Sequence, residues 1–166
     1  MTVLDSEPLV ALRRNHALEH ATINVLSERF PAIRLVGRSD WSGFTLYGAV
    51  GTEDVADASL EAMRRLKAGE SQLAIHPRCG TNLATGVLLM AVASTAVLSG
   101  QRRSRLARIL GVMWAMAFSL SLAQPLGEKV QEHVTTSSDV ADLRVTEIRR
   151  NEMGSFVVHR IATAQA

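Results

Sequence analysis

The residues best placed to do chemistry stand near the start of the chain, in His16-Ala17-Leu18-Glu19-His20. In a helix, positions four apart lie on one face, one turn from each other. Two imidazoles so placed can share one zinc ion. Glu19 follows His16 by three residues and adjoins His20, within reach of water at such a metal as a general base. A catalytic zinc needs a third protein ligand and one open position. The plain reading of the same stretch is a surface helix with two solvated histidines and an acid, because five residues with three fixed match often by chance. Two features raise the metal reading: the motif lies inside a helical stretch, and it holds two of the five histidines in the chain.

Candidates for the third ligand lie far along the chain, at Glu128, Glu132 and His133. Glu128 and Glu132 share a helical face, and a carboxylate would complete a His-His-Glu set. Glu128 is the expected ligand, being nearest the end of an apolar helix, with Glu132 and His133 as alternatives. A solvated amphipathic turn is the plain reading of all three. A second cluster reads His76-Pro77-Arg78-Cys79-Gly80. His76 and Cys79 could bind a metal together, or Cys79 could act as a thiolate nucleophile with His76 as its base and Asn82 orienting. The favoured reading is a tight turn into a helix, with His76 or Arg78 in a supporting role. His159, set among strand residues, reads as structural or exposed.

The elements that must position these residues follow from periodicity. Leu9, Leu12, Ala17, Leu18, Ala21, Val25 and Leu26 keep a helical spacing from Leu9 to Phe30, ended by Pro31. Strands are expected at 32–37 and 44–50, with a turn around Ser42–Gly43. A helix then runs from Thr52 to its cap at Gly69, acids first and bases last as the helix dipole favours. Residues 71–77 read as a third strand. Near the end, 143–151 and 155–163 read as two strands around the turn Glu152–Gly154, a hairpin expected to join the early sheet.

Between these parts lie two charge-free arms, LATGVLLMAVASTAVLS (83–99) and ILGVMWAMAFSLSLA (109–123). Each is at the short end of what spans a bilayer as a helix. The loop between them, 100–108, carries Arg102, Arg103, Arg105 and Arg108 and no acid. The expected fold class is α+β, a small mixed or antiparallel sheet with covering helices, interrupted by a two-helix transmembrane hairpin. The expected domains are 1–82, helix-strand-strand-helix-strand outside the membrane; 83–123, the hairpin; and 124–166, a short helix after Pro125 and a β-hairpin packing on the first region. A buried hairpin in a soluble protein is the competing reading.

Charge refines this picture. The region before the first arm holds nine Lys/Arg against ten Asp/Glu, and the region after the second holds five against six. The net charge of +2 therefore originates in the basic loop. That pattern argues against nucleic-acid binding, which wants a basic folded surface. It argues for a topology signal, with the arginine loop cytoplasmic and both termini on the opposite side. No cleavable signal peptide is evident in the first thirty residues. The one cysteine excludes an intrachain disulfide. Neither arm carries an ionisable group, which argues against an ion pump. Gly86, Ala91, Ala93, Gly111, Ala115 and Ala117 would let helices approach closely, within the hairpin or in a homo-oligomer.

The segments RNHALEHATI, HPRCGTNLATG and LAQPLGEKVQEHVTTSSD together resemble an uncharacterised bacterial integral-membrane family. That resemblance covers most of the chain, implies residence in a bacterial inner membrane and carries no established activity. Separately, HALEH on a helix beside a small α+β sheet is similar to the inverted-motif (HxxEH) zinc metallopeptidases. That similarity implies His16 and His20 as zinc ligands, Glu19 as the residue that activates water, and a distant glutamate completing the site. This chain has no clear counterpart of that glutamate's motif, and the membrane hairpin is foreign to that family's pattern. The resulting expectation is a membrane-embedded, zinc-dependent hydrolase, a peptidase acting on a membrane-associated peptide. A lipid amide or ester hydrolase would use the same residues. The alternative is a non-catalytic membrane-assembly or scaffold subunit with at most a structural metal.

Overall fold

The computed structural model describes residues 6–100, 104–153 and 156–165. Arg102, Arg103 and Gly154, named above in the basic loop and the late turn, lie outside them. The chain divides into two compact units, one formed by Met1–His76 with Glu132–Ala166 and the other by Pro77–Gln131.

In the first unit the long helix α1, Glu7–Arg29, opens with Pro8 in its first turn, where a missing N–H costs nothing. Strands β1 (Val36–Asp40) and β2 (Gly43–Tyr47) form a tight hairpin with Asp40 opposite Gly43. Two residues, Trp41 and Ser42, make the turn. The Asp40 carboxylate accepts from the Ser42 backbone N–H and hydroxyl, both at 2.8 Å, which closes it as an Asx turn. Gly43 sits at φ +139°, and a Cβ there would strike the Ile161 carbonyl of the neighbouring strand. Helix α2, Thr52–Lys67, has Glu53 and Asp54 in its first turn and Arg64, Arg65 and Lys67 in its last.

The late strands β3 (Leu143–Met153) and β4 (Phe156–Gln165) pair with each other, and β4 pairs with β2. The result is a four-stranded antiparallel sheet in the order β1-β2-β4-β3. A bulge lies between Val145 and Glu147 of β3. The core between sheet and helices is made by Leu18, Leu26, Phe44, Leu46, Val55, Leu143 and Ile161, all essentially out of water. The fold is therefore α+β with flanking helices, and the late hairpin does extend the early sheet.

Two expectations need correction. The first strand begins at Val36, not at residue 32, because residues 33–35 carry no ladder pairing. The segment expected as a third strand is a 3-10 turn, Ser71–Ala74. Its backbone finds partners on α1 instead of on a strand: Asn24 Nδ2 donates to the carbonyls of Leu73 (3.1 Å) and Ile75 (3.3 Å). Leu73 and Ala74 are buried against the core, so their apolar character is real and only its period was ambiguous.

The second unit holds α3 (Gly80–Ser99) and α4 (Arg105–Val130), the latter continuing through Pro125 and ending next to a π turn, Gln131–Thr135. Both helices are long and apolar enough to cross a membrane. Small residues bring them together: a Cβ on Gly86 would come within 2.9 Å of the Ala123 methyl, and one on Gly127 would overlap Asn82. Their outward sides are apolar, with Trp114 76% and Leu83 71% exposed. Polar contacts also join them: Gln131 donates to Asn82 Oδ1 at 2.7 Å and Asn82 donates to the Pro77 carbonyl at 2.9 Å.

Candidate metal centre

Helix α1 presents His16, Glu19 and His20 on its packed side, with Glu19 and His20 buried and His16 half-buried. The imidazole rings of His16 and His20 meet edge-on with centroids 4.3 Å apart. Their ligand nitrogens lie within 4.8 Å of each other. Each ring is fixed through the same atom. His16 Nδ1 lies 3.0 Å from the Thr135 carbonyl, and His20 Nδ1 lies 2.7 Å from the Ala74 carbonyl. A carbonyl only accepts, so each Nδ1 carries the proton and each Nε2 is left as the lone-pair nitrogen. This arrangement commonly fixes the tautomer and orientation of metal-binding histidines. The His76 ring stands 5.7 Å from that of His20.

Two elements remote in sequence supply those carbonyls. Ala74 ends the 3-10 turn, and Thr135 ends the π turn that follows α4. Arg13 ties the latter segment to α1 by donating to the Thr136 carbonyl at 3.1 Å and the His133 carbonyl at 3.3 Å.

Glu19 turns its carboxylate to β1. The Ser39 hydroxyl donates to it, and Gly37 lies so close that any Cβ there would overlap the carboxylate. Burial pushes its pKa above the usual carboxylate value, against the opposing pull of the Ser39 hydrogen bond and, when protonated, of His16. Gly37 and Ser39 thus shape the site, and nothing in the spacing of β1 marked them out; only the close approach of strand to helix does.

A family model described as a domain of unknown function, DUF6391, matches residues 11–148, most of the chain. The chain belongs to the DUF6391 family. An uncharacterized protein of Picosynechococcus sp. (strain PCC 7002) is 37% identical over 152 aligned residues, covering 86% of this chain and 74% of that relative. No solved structure matches. The resemblance to an uncharacterised bacterial family is thereby given a name, and the metallopeptidase similarity is not part of it.

Of the remaining residues singled out above, Glu128, Glu132, His133 and Cys79 lie within the matched residues 11–148 and His159 lies beyond them. Glu128, within α4, accepts from Gln124 one turn back at 3.0 Å. Glu132 and His133 pair with each other at 3.7 Å, with side chains 44% and 65% exposed. Cys79 caps the N-terminus of α3, its sulfur accepting from the Thr81 N–H at 3.4 Å. His159 is buried in β4, with Nε2 3.1 Å from the Thr52 hydroxyl.

Proposed function

We propose that this DUF6391 protein is a membrane-embedded, zinc-dependent hydrolase acting on peptides. In this reading His16 and His20 hold the metal and Glu19 serves as general base. The observation that carries it is the matched pair of Nδ1–carbonyl bonds at His16 and His20, the arrangement that commonly orients metal-binding histidines. As third ligand we propose Cys79, in place of Glu128, Glu132 or His133. Cys79 is tethered three residues from His76, a reach of at most roughly 11 Å along the chain, and the His76 ring is 5.7 Å from His20. A cysteine at a helix N-terminus is also favoured as thiolate, the form that binds zinc.

Zinc bound there would supply Lewis acidity, polarising a carbonyl and acidifying water. The protein's part falls to Glu19, whose carboxylate takes the proton from attacking water and passes it to the departing amine. Burial raises its pKa, which makes it a stronger proton acceptor, and Ser39 and Gly37 hold the carboxylate in one orientation.

We place α3 and α4 in the bilayer of a bacterial inner membrane, with Arg105 and Arg108 on the cytoplasmic side and pairing with a second copy through exposed small residues such as Ala91 and Ala117. A membrane-associated peptide is the proposed substrate.

One observation favours a second reading. If His76 joined the other three side chains, four protein donors would close the site, as in structural zinc centres. The protein would then be a membrane scaffold with a structural metal. Glu19→Gln separates the two. In phosphatidylcholine nanodiscs the variant should keep its zinc and lose at least about 100-fold in hydrolysis of a peptide mixture. Zinc retained with hydrolysis absent from both proteins would favour the scaffold, and equal hydrolysis in both would remove Glu19 from the role of base.

A further inference from the structure

A cavity of about 180 Å³ lies in the first unit beside the histidine pair. Its walls are the same two segments that hold the rings. Ala74 lines it and accepts from His20, and Thr136 lines it next to Thr135, which accepts from His16. The cavity and the histidine rings therefore share the segments that support them.

The lining is one-sided in its chemistry. Glu132 contributes a carboxylate, Ser71, Thr136 and Ser138 contribute hydroxyls, and Gln72 an amide, with no Lys, Arg or His among the lining residues. Ala74 and Ile75 add an apolar strip. Acceptors at one part and methyl groups at another suit an aliphatic stem that ends in a cation. The neighbouring backbone already receives one, since the Arg13 guanidinium donates to the carbonyls of His133 and Thr136.

We propose that this cavity is the subsite for a lysine-type side chain of the substrate, its ammonium group received by Glu132 and the surrounding hydroxyls. The assignment rests on the hydrolase reading for its meaning as a substrate subsite. It also gives Glu132 a role apart from the metal. Its half-exposed carboxylate implies a moderate contribution, because solvent screens such a pair.

The test uses the full chain in phosphatidylcholine nanodiscs, with Nα-acetyl-lysine amide as probe and its neutral counterpart Nα-acetyl-norleucine amide as control. Binding is followed by saturation-transfer NMR, and zinc content is measured on the same samples. The lysine probe should bind in preference to the norleucine probe. Glu132→Gln, which keeps size and shape, should weaken the lysine probe roughly three- to tenfold and leave zinc unchanged. Equal binding of the two probes, or no effect of Glu132→Gln, would overturn the subsite while leaving the metal reading intact. Loss of zinc in Glu132→Gln would overturn it differently, by making Glu132 a metal ligand. Lysine-selective binding through Glu132 in a protein that takes up no zinc would uphold a cation site and sink the hydrolase.

Discussion

Glu19 is a buried acid on a helix that could have carried a leucine at the same position, and what it packs against explains its cost and its use. Gly37 leaves just enough room for the carboxylate, so Gly37→Ala forces the acid out of place. That variant should lose roughly 1–3 kcal/mol in denaturant unfolding and show impaired hydrolysis with zinc retained. Hydrolysis at the parent level would mean that Glu19 takes no part in it. His159 makes a separate prediction. Burial holds its pKa below the usual histidine value, with the Arg150 charge acting the same way. The unfolded chain then binds more protons between the two values, so stability is fully present above about pH 6.5 and declines as pH falls through the unfolded and then the folded pKa. Replacing it by Gln, which can keep a bond to Thr52, should flatten the unfolding midpoint between pH 7.5 and 5.5 relative to the parent. An unchanged slope would locate the titration elsewhere. Of the residues here, the histidine pair and Glu19 were legible from spacing alone. The carbonyls of Ala74 and Thr135 were not, because every residue has one and only tertiary structure selects two.

The elements were legible where one period dominated. Helix α1 covers the expected span to within two residues at its start and one at its end, and α2 begins and ends at its dipole-matched charges. The two charge-free arms emerge as α3 and α4, each longer than its apolar run because polar ends continue the helix. The failure at Ser71–Ala74 has a particular cause: four residues are too few for a period, and the decisive partner, Asn24, lies 49 positions from Leu73. At β1, the Asx bonds of Asp40 narrow the expected turn to Trp41–Ser42 and carry the strand to Asp40, three positions past its expected end at 37. The same aspartate is held below its ordinary pKa; burial acts upward, but the Arg160 and Ser42 hydrogen bonds outweigh it. In the second unit, the contact of Gly127 with Asn82 predicts that Gly127→Leu separates α4 from α3. The variant should show a lower melting temperature in detergent, whereas Ala117→Leu, at a position away from both close contacts, should not. Equal effects would deny that Gly127 is the point of closest approach.

At the scale of the whole molecule, one chain joins an α+β unit to a pair of helices whose outer side chains are apolar and exposed. Apolar surface of that extent calls for lipid or another chain. The protein should remain with membranes after alkaline carbonate washing and come into solution only with detergent. Release without detergent would return the hairpin to a soluble setting. Charge clustering in the sequence set the two apolar arms apart, and they emerge as the two helices long and apolar enough to span a membrane. It could not show that the segments on either side of the hairpin would close on α1 and hold its histidines, because that depends on chain return over more than a hundred residues.

The central claim is that α1 carries a metal centre, and metal content per chain tests it most directly. The protein, purified in detergent without chelator and reconstituted with zinc, should hold about one zinc per chain. The double variant His16→Ala/His20→Ala should hold none while keeping its far-ultraviolet circular dichroism, and Cys79→Ser should hold it more weakly. A parent protein that retains no transition metal under these conditions, or a folded double variant that binds as much as the parent, would contradict the account.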